Sequence, residues 1–154
     1  MTTSDTPPPP SQPNFAPADD GYADRVRASF GRQGMLSTLG AELQNVGPGA
    51  VVIRLPSSTA VGQQQGYFHG AAIGAIGDSA GGYASLSLMP ADSEVVTVEY
   101  KINFIRPAEG AVLIAAGHVL RAGRSLTVAR VDISCDGRDV ALIQGTFTRV
   151  PLTR

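Results

Sequence analysis

Residues 63–82 constrain the fold of this chain more than any other stretch. From Gly70 onward, Ile73, Ile76, Ala80 and Tyr83 recur at offsets of three and four, the spacing of one helix face. Yet Gly70, Gly74, Gly77, Gly81 and Gly82 fall within or at the ends of that same segment. Each glycine inside a helix costs about 1 kcal/mol relative to alanine, so something must compensate. The usual compensation is close approach of another backbone, or of a ligand, to a surface without Cβ atoms. The segment therefore predicts a helix over residues 70–86 with one face packed on a sheet, carrying a single acid, Asp78.

The flanking patterns supply the sheet. Tyr22, Val26 and Phe30 repeat every four residues with Asp24, Arg25 and Arg27 between them, predicting an amphipathic helix that ends near Gly31 and Gly34. Residues 35–46 and 50–55, split by Gly47-Pro48-Gly49, read as two antiparallel strands in a hairpin. Residues 62–69 form a polar loop ending at His69. Residues 95–106, 111–121, 126–135 and 139–150 read as four strands, with Asp136-Gly137 as a tight hairpin signal. In the first of these, Val96, Val98, Tyr100, Ile102 and Phe104 point one way, and Thr97, Glu99, Lys101 and Asn103 the other. The order of elements predicts an α+β fold, an antiparallel sheet wrapped around a central long helix.

Composition removes several function classes. The formal net charge of −1 and the scattered arginines offer no field for nucleic acid. Only 16% of residues are charged, which suggests that part of the surface is covered by another subunit. The single cysteine, Cys135, can form no internal disulfide and has no partners at metal-ligand spacing, so it reads as a buried strand residue. Residues 1–20 are rich in Pro, Ser, Thr and Asp and read as a disordered leader, with Pro7–Pro10 favouring polyproline II; residues 21–154 form the one domain. The first residues lack the basic and apolar parts of a secretory signal, and no apolar run reaches membrane-spanning length. The expectation is a cytoplasmic protein without a membrane or metal partner.

Gly70-x3-Gly74-x2-Gly77 is loosely similar to a nucleotide-binding loop, but no apolar strand precedes it. The same glycines suit a membrane helix dimer poorly, because the segment is short and holds Asp78. A third pattern is more specific. Gln63-x2-Gly66-x2-His69-Gly70, followed by Asp78, resembles the phenylacetate-type (PaaI-like) branch of the 4-hydroxybenzoyl-CoA thioesterase superfamily. Val96-Thr97-Val98, Asn103-Phe104-Ile105-Arg106-Pro107-Ala108, Gly110, Gly123-Arg124-Ser125 and Asp136-Gly137 follow in the family's order. The resemblance spans about residues 34–150.

That resemblance implies a hotdog fold and hydrolysis of an acyl-CoA thioester, coenzyme A being part of the substrate and no separate cofactor being needed. It implies an acid at Asp78 acting as nucleophile or general base, and a Gly70 N–H that polarises the thioester carbonyl. Gln63 stands where an amide, commonly Asn, positions water or substrate. Ala71 replaces the second glycine of the usual His-Gly-Gly. His69 takes a supporting role, holding the loop or aiding substrate placement. Thr97 matches a hydroxyl position that orients water, an ordinary exposed strand threonine being the rival. Gly123, Arg124 and Ser125 are candidates for the coenzyme A phosphates, against a plain hairpin turn, and Arg106 for the edge of the nucleotide channel.

Physical chemistry supports the same roles. Thioester hydrolysis needs a proton acceptor or nucleophile on one side of the carbonyl and N–H donors at its oxygen. A helix N-terminus supplies free N–H groups, and a carboxylate of ordinary pKa is already ionised at pH 7. Gly70 and Asp78 lie eight residues apart, about 12 Å along a helix, too far to meet at one carbonyl. An obligate homodimer is thus expected, with Asp78 of one chain near Gly70 of the other, and the family adds a dimer of dimers. A non-catalytic acyl-CoA-binding module and a hotdog hydratase are the alternatives. The acyl group itself is not readable; small residues from Ile73 to Gly82 leave room for an aryl or medium-length chain.

Overall fold

The structure, a computed structural model, describes residues 13–152; the Pro7–Pro10 run lies outside them. The elements in chain order are α1 (Tyr22–Gly31), α2 (Gly34–Leu39), β1 (Glu42–Gly47), β2 (Ala50–Pro56), α3 (Gly70–Leu86), β3 (Ser93–Phe104), β4 (Val112–Ala122), β5 (Leu126–Cys135) and β6 (Arg138–Pro151). The strands form one six-stranded sheet in the order β1-β2-β4-β5-β6-β3. Every neighbouring pair is antiparallel.

Helix α3 packs against β2, β3, β4, β5 and β6, so the sheet curls around it. The expectation of one buried face is corrected, because burial runs nearly all round the helix, from Ala72 to Leu86. This explains the glycines. A Cβ at Gly117 on β4 would meet the Ala80 carbonyl oxygen at 2.5 Å, so sheet and helix backbones touch there. A Cβ at Gly77 would collide with the side chains of Ile143 and Ile133. The missing side chains set the helix deep in the sheet, and the buried apolar contact offsets their helix-propensity cost.

Residues 35–46 are not one strand. Residues 34–39 form α2, and only β1 continues as strand. Gly40, at φ +77, closes the helix with its own N–H on Ser37 O and the Ala41 N–H on Leu36 O. This glycine stop signal makes a short helix competitive. The turn places Leu36 in the core and leaves Met35 59% exposed.

The N-terminal region fastens the far end of α3. The Arg25 guanidinium donates to Leu86 O at 3.2 Å and Met89 O at 2.8 Å, and pairs with Asp19 at 2.9 Å. Leu86 O also accepts the Met89 N–H at 3.0 Å, so Arg25 adds a second donor at the end of α3 and a further one on the turn that follows it. Phe15 packs against the core, so packed chain begins before residue 21.

Strand β3 lies at the sheet edge, pairing only with β6. Its register slips between Thr97 and Glu99, a bulge that inserts Val98. The uninterrupted alternation expected from the sequence is therefore corrected. Val95 and Thr97 face α3 before the bulge. Beyond it, Tyr100 and Phe104 reach Gly74 and Gly70, and Ile102 packs on the core. Val96 and Val98 are left 44% and 54% exposed. Among the described residues, no helix is long and apolar enough to cross a membrane.

Candidate active site

The mouth of α3 is built by a short loop with its own hydrogen bonds. The Gln63 N–H donates to Tyr67 O at 2.9 Å, and Gly66, at φ +83, turns the chain between them. The Phe68 N–H then donates to Ala108 O at 2.9 Å, and the His69 N–H to Val61 O at 2.8 Å. His69 is the N-cap residue, with extended backbone at ψ 136°. Its Nδ1 accepts the Ala71 N–H at 2.9 Å, while its carbonyl accepts from Ala72 and Ile73. Nδ1 therefore carries no proton in this arrangement. Among the described residues, the Gly70 N–H has no acceptor. The cap consumes the neighbouring donors and leaves Gly70 free.

Gly70 opens into a cleft of ≈ 480 Å³ lined by Gln63, Tyr67, Ile73, Phe104 and Arg106, among others. The Phe104 ring stands over Gly70, 3.1 Å from where a Cβ would lie, and is 55% exposed. Gln63 and Gly70 thus line the same cleft.

Asp78 is half-buried two turns further along α3. Thr97 Oγ1 donates to its Oδ1 at 2.7 Å, which the bulge in β3 makes possible. Burial raises the Asp78 pKa above its ordinary value of 3.8, and the Thr97 hydrogen bond opposes that rise without cancelling it. The expectation of an untuned carboxylate is corrected: desolvation disfavours the charged form. The placement of Thr97 on an outward polar face is corrected as well.

A cavity of ≈ 70 Å³ beside Asp78 is lined by Gln33, Ser79, Gly82, Tyr83, Val95 and Thr97. It shares no residue with the Gly70 cleft. Within one protomer the acid and the free N–H therefore sit in separate cavities. Gln33, at the joint of α1 and α2, carried no sequence signal, being a polar residue at a helix end.

Gly123, Arg124 and Ser125 line a third cleft, of ≈ 190 Å³, together with Leu88, Met89 and Arg149. Arg149 was not legible as a neighbour of this turn because it arrives from β6. Arg106 lies in the Gly70 cleft instead. Among the described residues, no group of three His, Cys, Asp or Glu is placed to hold a metal ion.

A six-stranded antiparallel sheet curled around one buried helix defines the hotdog fold. Comparison with known proteins agrees. Residues 65–142 match the family model described as Thioesterase superfamily. A thioesterase family protein from Silicibacter pomeroyi has a solved structure 40% identical in sequence, with TM-score 0.82, covering 85% of this chain and 99% of that one. A candidate esterase from Halobacterium salinarum is 30% identical over 142 residues, 84% of this chain and 93% of its own. The E. coli PaaI protein, at 21% identity and TM-score 0.77, covers 84% of this chain and 93% of that one, and shares the fold. The chain belongs to the thioesterase superfamily, with the hotdog fold, and is a thioester hydrolase.

Proposed function

We propose that the protein hydrolyses an acyl- or aryl-CoA thioester to the free acid and coenzyme A in a site built from two chains. The free Gly70 N–H at the mouth of α3 carries this reading: a donor without an acceptor, at a helix N-terminus, suits a carbonyl oxygen that gains charge. Asp78 of the partner chain accepts a proton from water as the water oxygen bonds to the carbonyl carbon. The resulting oxyanion rests on Gly70 N–H, with Gln63 positioning the thioester. Collapse breaks the C–S bond, and the proton passes from Asp78 to the leaving sulfur. The raised Asp78 pKa strengthens it as a base, because a base nearer the working pH transfers protons more effectively.

The two-chain arrangement is supported by β3. This edge strand leaves one row of backbone groups unpaired and exposes Val96, Val98, Tyr100 and Phe104, a surface suited to a second copy. Further pairing of such dimers, and a cytoplasmic site of action, belong to the same reading. Arg124 and the turn at Gly123 and Ser125 are assigned to the coenzyme A phosphates, Arg149 adding a second guanidinium in that cleft. Arg106, in the Gly70 cleft, is assigned to the inner part of the coenzyme A chain.

The test is thiol release from aryl-, short-, medium- and long-chain acyl-CoAs, with Asp78→Asn alongside. Release by the natural protein and its loss in the variant are expected. Binding of acyl-CoA without any release would favour a non-catalytic module, and an equally fast variant would remove Asp78 from the mechanism.

A further inference from the structure

We propose that Gln33, on the joint between α1 and α2, is a positioning residue that orients the attacking water against Asp78. This rests on the reading of Asp78 as the proton acceptor. The cavity beside Asp78 supplies the geometry. Its ≈ 70 Å³ brings together Gln33, Asp78, Ser79 and Thr97, and a site of that size and polarity holds water when two to four polar partners surround it.

Among the described residues, the hydrogen-bond accounting leaves the Gln33 amide and the Ser79 hydroxyl unengaged in that lining, and of the two only Gln33 comes from outside α3, the helix that carries Asp78. Thr97 spends its only proton on Asp78 Oδ1. Among the described residues, Asp78 Oδ2 receives no donor, and the Gln33 side-chain amide makes no hydrogen bond. The Gln33 backbone is pinned, its N–H donating to Phe30 O at 3.0 Å and its carbonyl accepting from Ser37 at 3.1 Å. Nearby charges are otherwise engaged: Arg32 pairs with Glu94 at 3.0 Å, and Glu99 accepts from Thr146.

A water in this cavity must give one proton to Asp78 and direct a lone pair at the carbonyl carbon. Its second O–H needs an acceptor, or the molecule rotates out of line. Gln33 Oε1 supplies that acceptor from the joint of α1 and α2. The amide neither gains nor loses a proton in the step; it restricts the orientation of the nucleophile.

The experiment compares Gln33→Ala and Gln33→Glu with the natural protein and Asp78→Asn by thiol release across pH, together with thermal midpoints. Gln33→Ala is expected to lower kcat about tenfold with KM nearly unchanged, as for loss of an orienting contact. Gln33→Glu keeps an acceptor but places a second carboxylate beside Asp78. It is expected to move the acid limb of kcat to higher pH, since like charges resist joint ionisation. An inactive Asp78→Asn beside a Gln33→Ala with natural kcat and an unmoved limb in Gln33→Glu overturns the role of Gln33 alone. Losses that merely track a lowered thermal midpoint, with no shift of the limb, also overturn it. A fully active Asp78→Asn overturns both this role and the mechanism beneath it.

Discussion

Thr97 Oγ1 donates a 2.7 Å hydrogen bond to Asp78 Oδ1, tying an edge strand to the single acid of the central helix. The bond opposes the rise in Asp78 pKa that burial causes. Replacing Thr97 with Val should therefore leave desolvation unopposed and raise the pKa further. The acid limb of kcat against pH should shift upward, with kcat at neutral pH reduced. A pH–rate series measures this, and an unmoved limb would mean that the hydroxyl does not reach the acid in solution.

Asp78→Asn should trade activity for stability. General-base contributions of about 10²–10⁴-fold set the expected loss of kcat. For stability, the folded pKa lies above the ordinary 3.8, so the folded state favours the protonated form. The stabilisation this gives is complete below 3.8 and lost as pH rises through the folded pKa. The variant, free of that loss, should melt above the natural protein at pH 7, with the gap closing below about pH 4. Melting curves across pH would show it; a lower midpoint for the variant at pH 7 contradicts the direction.

Co-expression tests whether two chains share a site. Gly70→Val blocks the helix mouth and Asp78→Asn removes the acid. In a mixed dimer one site carries both lesions and the other neither. Each homodimer should be inactive, while random pairing should restore about a quarter of natural activity through the two-fold arrangement. No recovery in purified mixed dimers would place the whole site within one chain.

His69 should prove separable into cap and chemistry. His69→Ala removes the acceptor for the Ala71 N–H, at a cost of about 0.5–2 kcal/mol for a lost N-cap. His69→Asn restores a capping oxygen and should recover most of that stability in denaturant titrations. If Asn also restores kcat, the imidazole acts only by ordering the helix mouth.

Gly117→Ala forces a Cβ against the Ala80 carbonyl oxygen. Overpacking of this kind costs about 1–3 kcal/mol, and here the clashing atom is backbone. Chemical denaturation should show the loss, and a neutral result would mean that α3 can lift from β4 at little cost.

Much of this architecture was readable beforehand because its signals are local. The 3.6-residue repeat and the run of small residues marked α3 from Gly70 to Leu86. Asp136 and Gly137, both at positive φ, form the turn that their residue types announce. The short α2 was missed because six residues display less than two turns of periodicity, and its stop at Gly40 outweighed strand propensity. Gln63, Gly70 and His69 were recognisable as a motif. The raised pKa of Asp78 was not, since it depends on atoms brought in by β3. Gln33 and Arg149 were invisible for the same reason: each reaches its cavity from an element distant in sequence.

Val98 carries a consequence of its own. Excising that one amino acid would leave Thr97 and Tyr100 two positions apart, and a regular ladder would then hold the Thr97 hydroxyl on the side of Tyr100 and Phe104 without any kink. Ironing the kink flat with Val98 retained is what would turn Thr97 away from Asp78, so in this chain the extra residue and its distortion must come together for the acid to keep its hydroxyl donor.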